Sequence, residues 1–263
     1  MDPVSDFLHE YQRTENELLD PRTLNMPGLF AGEREFIEFA DRDYRTDKHG
    51  AFEVRPEDCA LIVVDMQEDF VNPANPMCVP EAHRQVPRIA KVIEECRSAN
   101  VPVIYTEHTI APDVAHDFYE YWPPIKAGAI AEGEPGSKLY HEFQPHEDER
   151  VISAKHSYDS FAGTDLDYTL RNRGVQTLII SGTLTNFCCE STARTGYSLG
   201  YHIVFGSDIN ATDSALAHDA TLRTMRRGFA RIMNHRQIID TVRNTDTLHH
   251  AMKRAHGQEE EDE

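Results

Sequence analysis

The feature that most constrains this chain is a repeated switch between short apolar runs and amphipathic stretches, beginning near residue 58. CALIVVD (59–65) is a continuous apolar run closed by Asp, the pattern of a strand buried on both faces of a parallel sheet. Residues 81–99 follow with Val86, Ile89, Ala90, Ile93 and Cys96 at helical spacing. Further strands are predicted at 101–106, 151–155, 175–182, 201–208 and 230–233. Helices are predicted from about Thr164–Asp165, over Cys188–Leu199 and Ser214–Arg227, and from Arg236 to about Arg254. Such alternation implies an α/β fold, a three-layer α/β/α sandwich around a mostly parallel, Rossmann-like sheet of six strands. Ligands in such sheets bind beyond the carboxyl ends of the strands.

Two segments lie outside the pattern. Residues 1–57 form a polar arm, with Phe7, Leu8, Tyr11, Phe30, Phe36, Ile37 and Phe39 as scattered apolar groups. These are too few for a separate core, so the arm is expected on the main domain (58–254) or on a neighbouring subunit. Residues 255–263 are a like-charge acidic tail, expected to be disordered. Within the domain, residues 110–148 are irregular and rich in Pro, Gly and aromatics, as a lid or specificity loop would be. That stretch holds Tyr119, Tyr121, Trp122, Lys126 and Lys138, the last two suited to pairing with a substrate carboxylate.

Charge and cysteine content narrow the function classes. The net charge of −19 argues against nucleic acid or an anionic membrane as a partner. No apolar run is long enough to span a membrane, and the acidic start has no apolar core of a secretory leader. The five Cys residues fit neither a disulfide framework nor a zinc ribbon, so a reducing cytoplasm is the expected location.

Three reactive side chains stand at predicted strand ends: Asp65 after the first strand, Lys155 closing VISAK, and Cys188 just past VQTLIISG. Each has a plain structural reading: a turn cap, a solvated charge, a small buried apolar group. Parallel topology gathers strand ends at one rim, and there the three make coherent chemistry. A Cys at a helix start beside Lys is expected to fall to between roughly 3.5 and 7.5 in pKa. A neighbouring carboxylate can take the thiol proton and return it to a leaving amine.

Three blocks carry a resemblance to a known family: ALIVVDMQEDF (60–70), KHSYDSFAGTDL (155–166) and SGTLTNFCCESTAR (181–194). In order and spacing the chain resembles the isochorismatase-like cysteine hydrolases, in the amidase branch. That branch includes N-carbamoylsarcosine amidase, ureidoacrylate amidase, biuret hydrolase and nicotinamidase. The resemblance covers about residues 58–250. It implies Asp65, Lys155 and Cys188 as catalytic residues and a cis peptide between Thr183 and Leu184. It also implies an oxyanion hole from the amides of Leu184 and Cys188. The family has Val where this chain has Cys189, which therefore reads as core filling. Gln67, Phe70, Tyr158, Phe161 and Thr183 are expected to contact substrate.

Nicotinamidases bind a metal after the second strand through Asp-x-His and a later His. Here Glu107 and His108 are adjacent, with Asp113 and His116 beyond, so that spacing is absent and neither metal nor cofactor is expected. The resemblance implies hydrolysis of a C–N bond in a small linear amide or a ureido or carbamoyl compound, by a homodimer or homotetramer. A vinyl ether hydrolase and a non-catalytic binding relative are the alternatives; the intact TNFCC block stands against the first and the intact triad against the second.

Overall fold

A computed structural model describes residues 52–111 and 121–243 of the chain. The chain splits into two units between Glu53 and Val54, and the sheet and its helices belong to the second. Six strands, β1 (Cys59–Val64), β2 (Val103–His108), β3 (Arg150–Lys155), β4 (Thr177–Thr183), β5 (His202–Ala211) and β6 (Arg231–Met233), form one sheet in the order β3-β2-β1-β4-β5-β6. Every neighbouring pair is parallel. The chain starts at the centre, moves outward through β2 and β3, and returns to lay β4 on the other side of β1. The ends of β1 and β4 therefore flank the point where strand order reverses, the crevice in which such sheets bind ligands.

The principal helices are α1 (Pro80–Ser98), α2 (Leu166–Asn172), α3 (Glu190–Ser198) and α4 (Ala215–Gly228); residues 235–243 are also helical. They lie on both sides of the sheet. Ala60, Ile62 and Val64 of β1 pack in one cluster with Leu166 and Leu170 of α2, Ala193 of α3 and Met225 of α4. The alternate residues Leu61 and Val63 face the opposite layer, where α1 lies; both are fully buried. Fully burying each such side chain is worth about 1.5–3 kcal/mol. Helix α1 opens on Pro80, whose missing N–H costs nothing at a helix start. It closes on Asn100 in the left-handed region (φ 58°), with Val101 N–H donating to Cys96 O at 2.8 Å.

Several boundaries differ from the sequence reading. Strand β2 runs on to Glu107 and His108, because both polar side chains are buried against other segments. Strand β5 continues to Ala211, its register with β4 shifting between Ile180 and Gly182. The helix expected from Cys188 begins three residues earlier, as a π-helical turn over Thr185–Cys189 that runs into α3. The described part of the irregular stretch after β2 is tied to the domain at three points. Leu139 bridges to Gln67, Ala131 bridges to Ile110, and the buried carboxylate of Asp69 accepts from Ile130 N–H at 2.6 Å. The arm, the acidic tail, Asp113, His116 and Tyr119 lie outside the described residues. Among the described residues, no helix is long and apolar enough to cross a membrane.

Gly182 shows how closely β1 and β4 approach at the crevice. It has φ 128°, and a Cβ there would lie 2.0 Å from Val64 O. Gly182→Ala is expected to destabilise the fold by about 3 kcal/mol or more. Urea unfolding would show this as a lowered midpoint at unchanged slope; an unshifted midpoint would contradict the close approach.

Candidate active site

Asp65 follows β1 with φ 49°, a conformation that Asp tolerates better than most residues. Its N–H donates to both the carbonyl and the hydroxyl oxygen of Thr106, each at 3.2 Å, which anchors the turn to β2. Both carboxylate oxygens are engaged. Oδ1 accepts the Thr106 hydroxyl at 2.5 Å, and Oδ2 accepts Lys155 Nζ at 2.6 Å. Lys155 ends β3, two strands away, and its long stem crosses beneath the end of β2 to reach the carboxylate. Neither side chain has any solvent exposure.

Burial alone would lower the Lys155 pKa. The Asp65 carboxylate and the nearby Cys188 thiol outweigh it, and the net shift is upward, so the ammonium is retained. Cys188 sits in the Thr185–Cys189 turn at 2% exposure, close enough to both charged groups to interact with each. Burial pushes its thiol upward; Lys155 pulls it down and Asp65 pushes it up again, leaving it above the ordinary range. This corrects the expectation of an acidic thiol. Helix start and ammonium are present, but the site is closed to water and the carboxylate offsets the ammonium. The arrangement suits proton transfer from thiol to Asp65 during attack rather than a standing thiolate.

The peptide bond between Thr183 and Leu184 is cis. Leu184 is 7% exposed, and its carbonyl accepts from Phe187 and Cys189 N–H at 3.2 and 3.1 Å. Amides in the first turn of a helix have no partner within the helix, which leaves that of Cys188 suited to a developing negative oxygen. Cys189 is fully buried, in the core cluster, with its thiol pushed well above the ordinary range by burial.

The other expected contact residues separate into two groups. Tyr158 stands at the site. Its hydroxyl accepts from Trp122 Nε1 at 2.9 Å, and its ring packs on Phe187 and edge-on to His108. With Trp122 also edge-on to Phe187, these rings form an aromatic wall beside Cys188. Gln67, by contrast, is a brace. Its amide donates to His108 O and Ser137 O at 2.9 and 2.7 Å and accepts from His108 N–H at 2.8 Å, consuming both ends. Phe161 is partly buried, stacked on Tyr201 and packed against the core cluster. The Thr183 hydroxyl ties β4 to Ala211 O, and Phe70 is buried at 3% exposure in the short turn Glu68–Val71. Lys138 is held by Glu107 at 3.1 Å, while Lys126 is exposed.

His108 is the neighbour the sequence reading missed. A ligating atom from each of Asp65, His108 and Cys188 lies within 4.8 Å of the others. The signal was available: His108 ends a strand, as Asp65 and Lys155 do. The trio has the donor types for a thiophilic cation, yet Lys155 and Thr106 already occupy the Asp65 oxygens. A cation would compete directly with the buried ammonium, so the residues present fit proton transfer better than metal binding.

Fold and site together define a crevice at the ends of a parallel sheet, built around a buried carboxylate, ammonium and thiol. Residues 59–237 match the isochorismatase domain. The chain is 33% identical to nicotinamidase 3 of Arabidopsis thaliana, over 66% of this chain and 84% of that one. It is 26% identical to a ureidoacrylate amidohydrolase of Acinetobacter baylyi, over 75% and 89% of the two chains. A cysteine hydrolase from Pseudomonas syringae pv. phaseolicola superposes with TM-score 0.69 at 29% identity, covering 73% of this chain and 96% of that one. The chain belongs to the isochorismatase family, and it is a hydrolase with amidases among its relatives.

The thiol can be examined directly. The thiolate absorbance lost in Cys188→Ala is expected to appear only above the ordinary thiol value of about 8.5. A step between about pH 4 and 7 would instead show a thiolate already formed in the empty site.

Proposed function

We propose that this protein is a cysteine amidohydrolase that cleaves a C–N bond in a small amide or ureido or carbamoyl compound through a thioester. The observation that carries the reading is the water-excluded Asp65–Lys155 pair set against Cys188. As the substrate carbonyl arrives, Asp65 takes the thiol proton and sulfur attacks the carbonyl carbon. Negative charge develops on the carbonyl oxygen, which the Leu184 and Cys188 amides receive. Asp65 passes the proton to the leaving nitrogen, the C–N bond breaks, and ammonia or amine departs. Water then attacks the thioester while Asp65 accepts its proton. The carboxylic acid leaves and the proton returns to sulfur, restoring the thiol. Lys155 keeps its charge throughout and holds the carboxylate in line.

The amidase relatives support an amide or ureide as substrate, which the aromatic rings of Trp122, Tyr158 and Phe187 would pack against. All five cysteines are free thiols, which suits the reducing cytoplasm as the place of action. No metal is assigned a role. We further place the protein in a homodimer or homotetramer, as a surface for the apolar groups of residues 1–57; a monomeric mass by light scattering at micromolar concentration would refute this.

The reaction is tested by measuring ammonia or amine release from a panel of small amides and ureides, nicotinamide and N-carbamoyl amino acids among them. Cys188→Ala is expected to lower turnover by at least about 10³-fold, and Asp65→Asn by about 10²–10⁴-fold. Prolonged chelation should leave turnover unchanged. Full activity in Cys188→Ala would rule out the thioester, and loss on chelation with recovery on adding zinc would reinstate a metal.

A further inference from the structure

A second cleft, of about 420 Å³, lies between the first turns of α1 and the connection from β5 into α4. Its size falls within the range of small-molecule pockets. It is lined by residues other than Asp65, Lys155 and Cys188, and what it binds does not depend on what is hydrolysed at Cys188.

Two polar groups in its lining are unusual. Gln85 is 3% exposed and donates its amide N–H to Asn210 O at 3.0 Å, but its buried Oε1 has no partner among the described residues. Arg88 reaches Glu81 through Nη2 at 3.3 Å, while its buried Nε–H has no partner among them. Buried polar groups are nearly always hydrogen-bonded, and each exception calls for an explanation. The two have opposite needs, since the amide oxygen can only accept and the guanidinium N–H can only donate. Two further features of the lining, which also holds Glu81, Arg84 and Asp208, are arranged in the same sense. Ala215, the first residue of the 14-residue helix α4, stands at the cleft and brings the positive end of its dipole. Asp213 supplies a carboxylate on the same connection.

The cleft also touches the turn that carries Cys188. His218, in the lining, bonds Ser207 O through Nε2 at 3.0 Å and the Thr185 hydroxyl through Nδ1 at 2.9 Å. A carbonyl only accepts, so Nε2 carries the proton, and in the neutral ring Nδ1 accepts from Thr185. Thr212, also in the lining, donates its hydroxyl to Asn186 Oδ1 at 2.7 Å. Thr185 and Asn186 are the first two residues of the π-helical turn.

We propose that this cleft is a second binding site, for a small amphoteric molecule bearing a carboxylate and an ammonium, that is, a free amino acid. The carboxylate accepts from Arg88 Nε–H and faces the start of α4; the ammonium donates to Gln85 Oε1 and pairs with Asp213. Occupancy acts on the Cys188 turn through His218 and Thr212.

The test uses the full chain, with glycine, alanine, β-alanine, sarcosine, aspartate, glutamate and lysine as probes in thermal unfolding. At roughly ten times its Kd, a bound probe is expected to raise the midpoint by about 3–6 °C. The shift should vanish in Arg88→Met and in Gln85→Met, each compared with its own ligand-free midpoint. It should persist after Cys188 is blocked with iodoacetamide. The bound probe should also change the rate of Cys188 alkylation by about threefold or more in the wild type, but not in Arg88→Met. The site is overturned if no probe shifts the wild type, if the shift survives in both variants, or if blocking Cys188 abolishes it. An unchanged alkylation rate at saturation would overturn the link to the catalytic turn.

Discussion

The buried contact between Lys155 and Asp65 is the constraint on which the rest of this structure turns. An ion pair with no solvent exposure survives only if each charge is matched and the remaining lone pairs are satisfied. Here the Thr106 hydroxyl takes the other carboxylate oxygen, and the thiol of Cys188 lies beside the ammonium. Removing one member of such a pair typically costs about 3–5 kcal/mol, because the other is left charged and dry. The pair thus fixes the relation of β1 to β3 across β2, and it holds the carboxylate proposed as the base in one position.

The same closure bears on the Cys188 thiol. Desolvation works against the thiolate, and the neighbouring Asp65 carboxylate works against it too. Both effects favour the protonated thiol. In the proposed reaction, attack and proton transfer are then coupled, and Asp65 is neutral when the leaving nitrogen needs a proton. A permanently ionised cysteine would leave that acid to be found elsewhere. The buried thiol also has less opportunity to react with oxidants or stray electrophiles.

Much of this was legible in the chain itself. Apolar runs placed all six strands, and the strand-end rule singled out Asp65, Lys155 and Cys188, which the structure does bring together. The misreadings share a cause: a polar residue does not declare which partner it will find. Glu107 and His108 looked like the end of β2 because they are polar, yet both are buried, Glu107 against Lys138 and the Leu139 amide. Gln67 looked like a pocket residue because it follows Asp65, but backbone groups from two distant segments claim its amide. Phe161 reads as a substrate contact in the sequence, but Tyr201, forty positions on, supplies a stacking surface for its ring. The π-helical turn leaves no mark in a periodicity based on 3.6 residues per turn.

The reversal of strand order between β1 and β4 has a kinetic consequence. Asp65 and Lys155 are separated by 90 positions, and the cysteine comes from a third crossing of the sheet. No contiguous fragment short of the first four strands, β1 to β4, holds all three groups. A partly folded chain can bury much of its apolar surface and still have no site, since each reactive group is stranded on a separate β-unit until the last of them docks. Competence in this architecture is a property of completed topology. Exposed thiol and unpaired lysine therefore belong to the chain's assembly, and their disappearance marks its end.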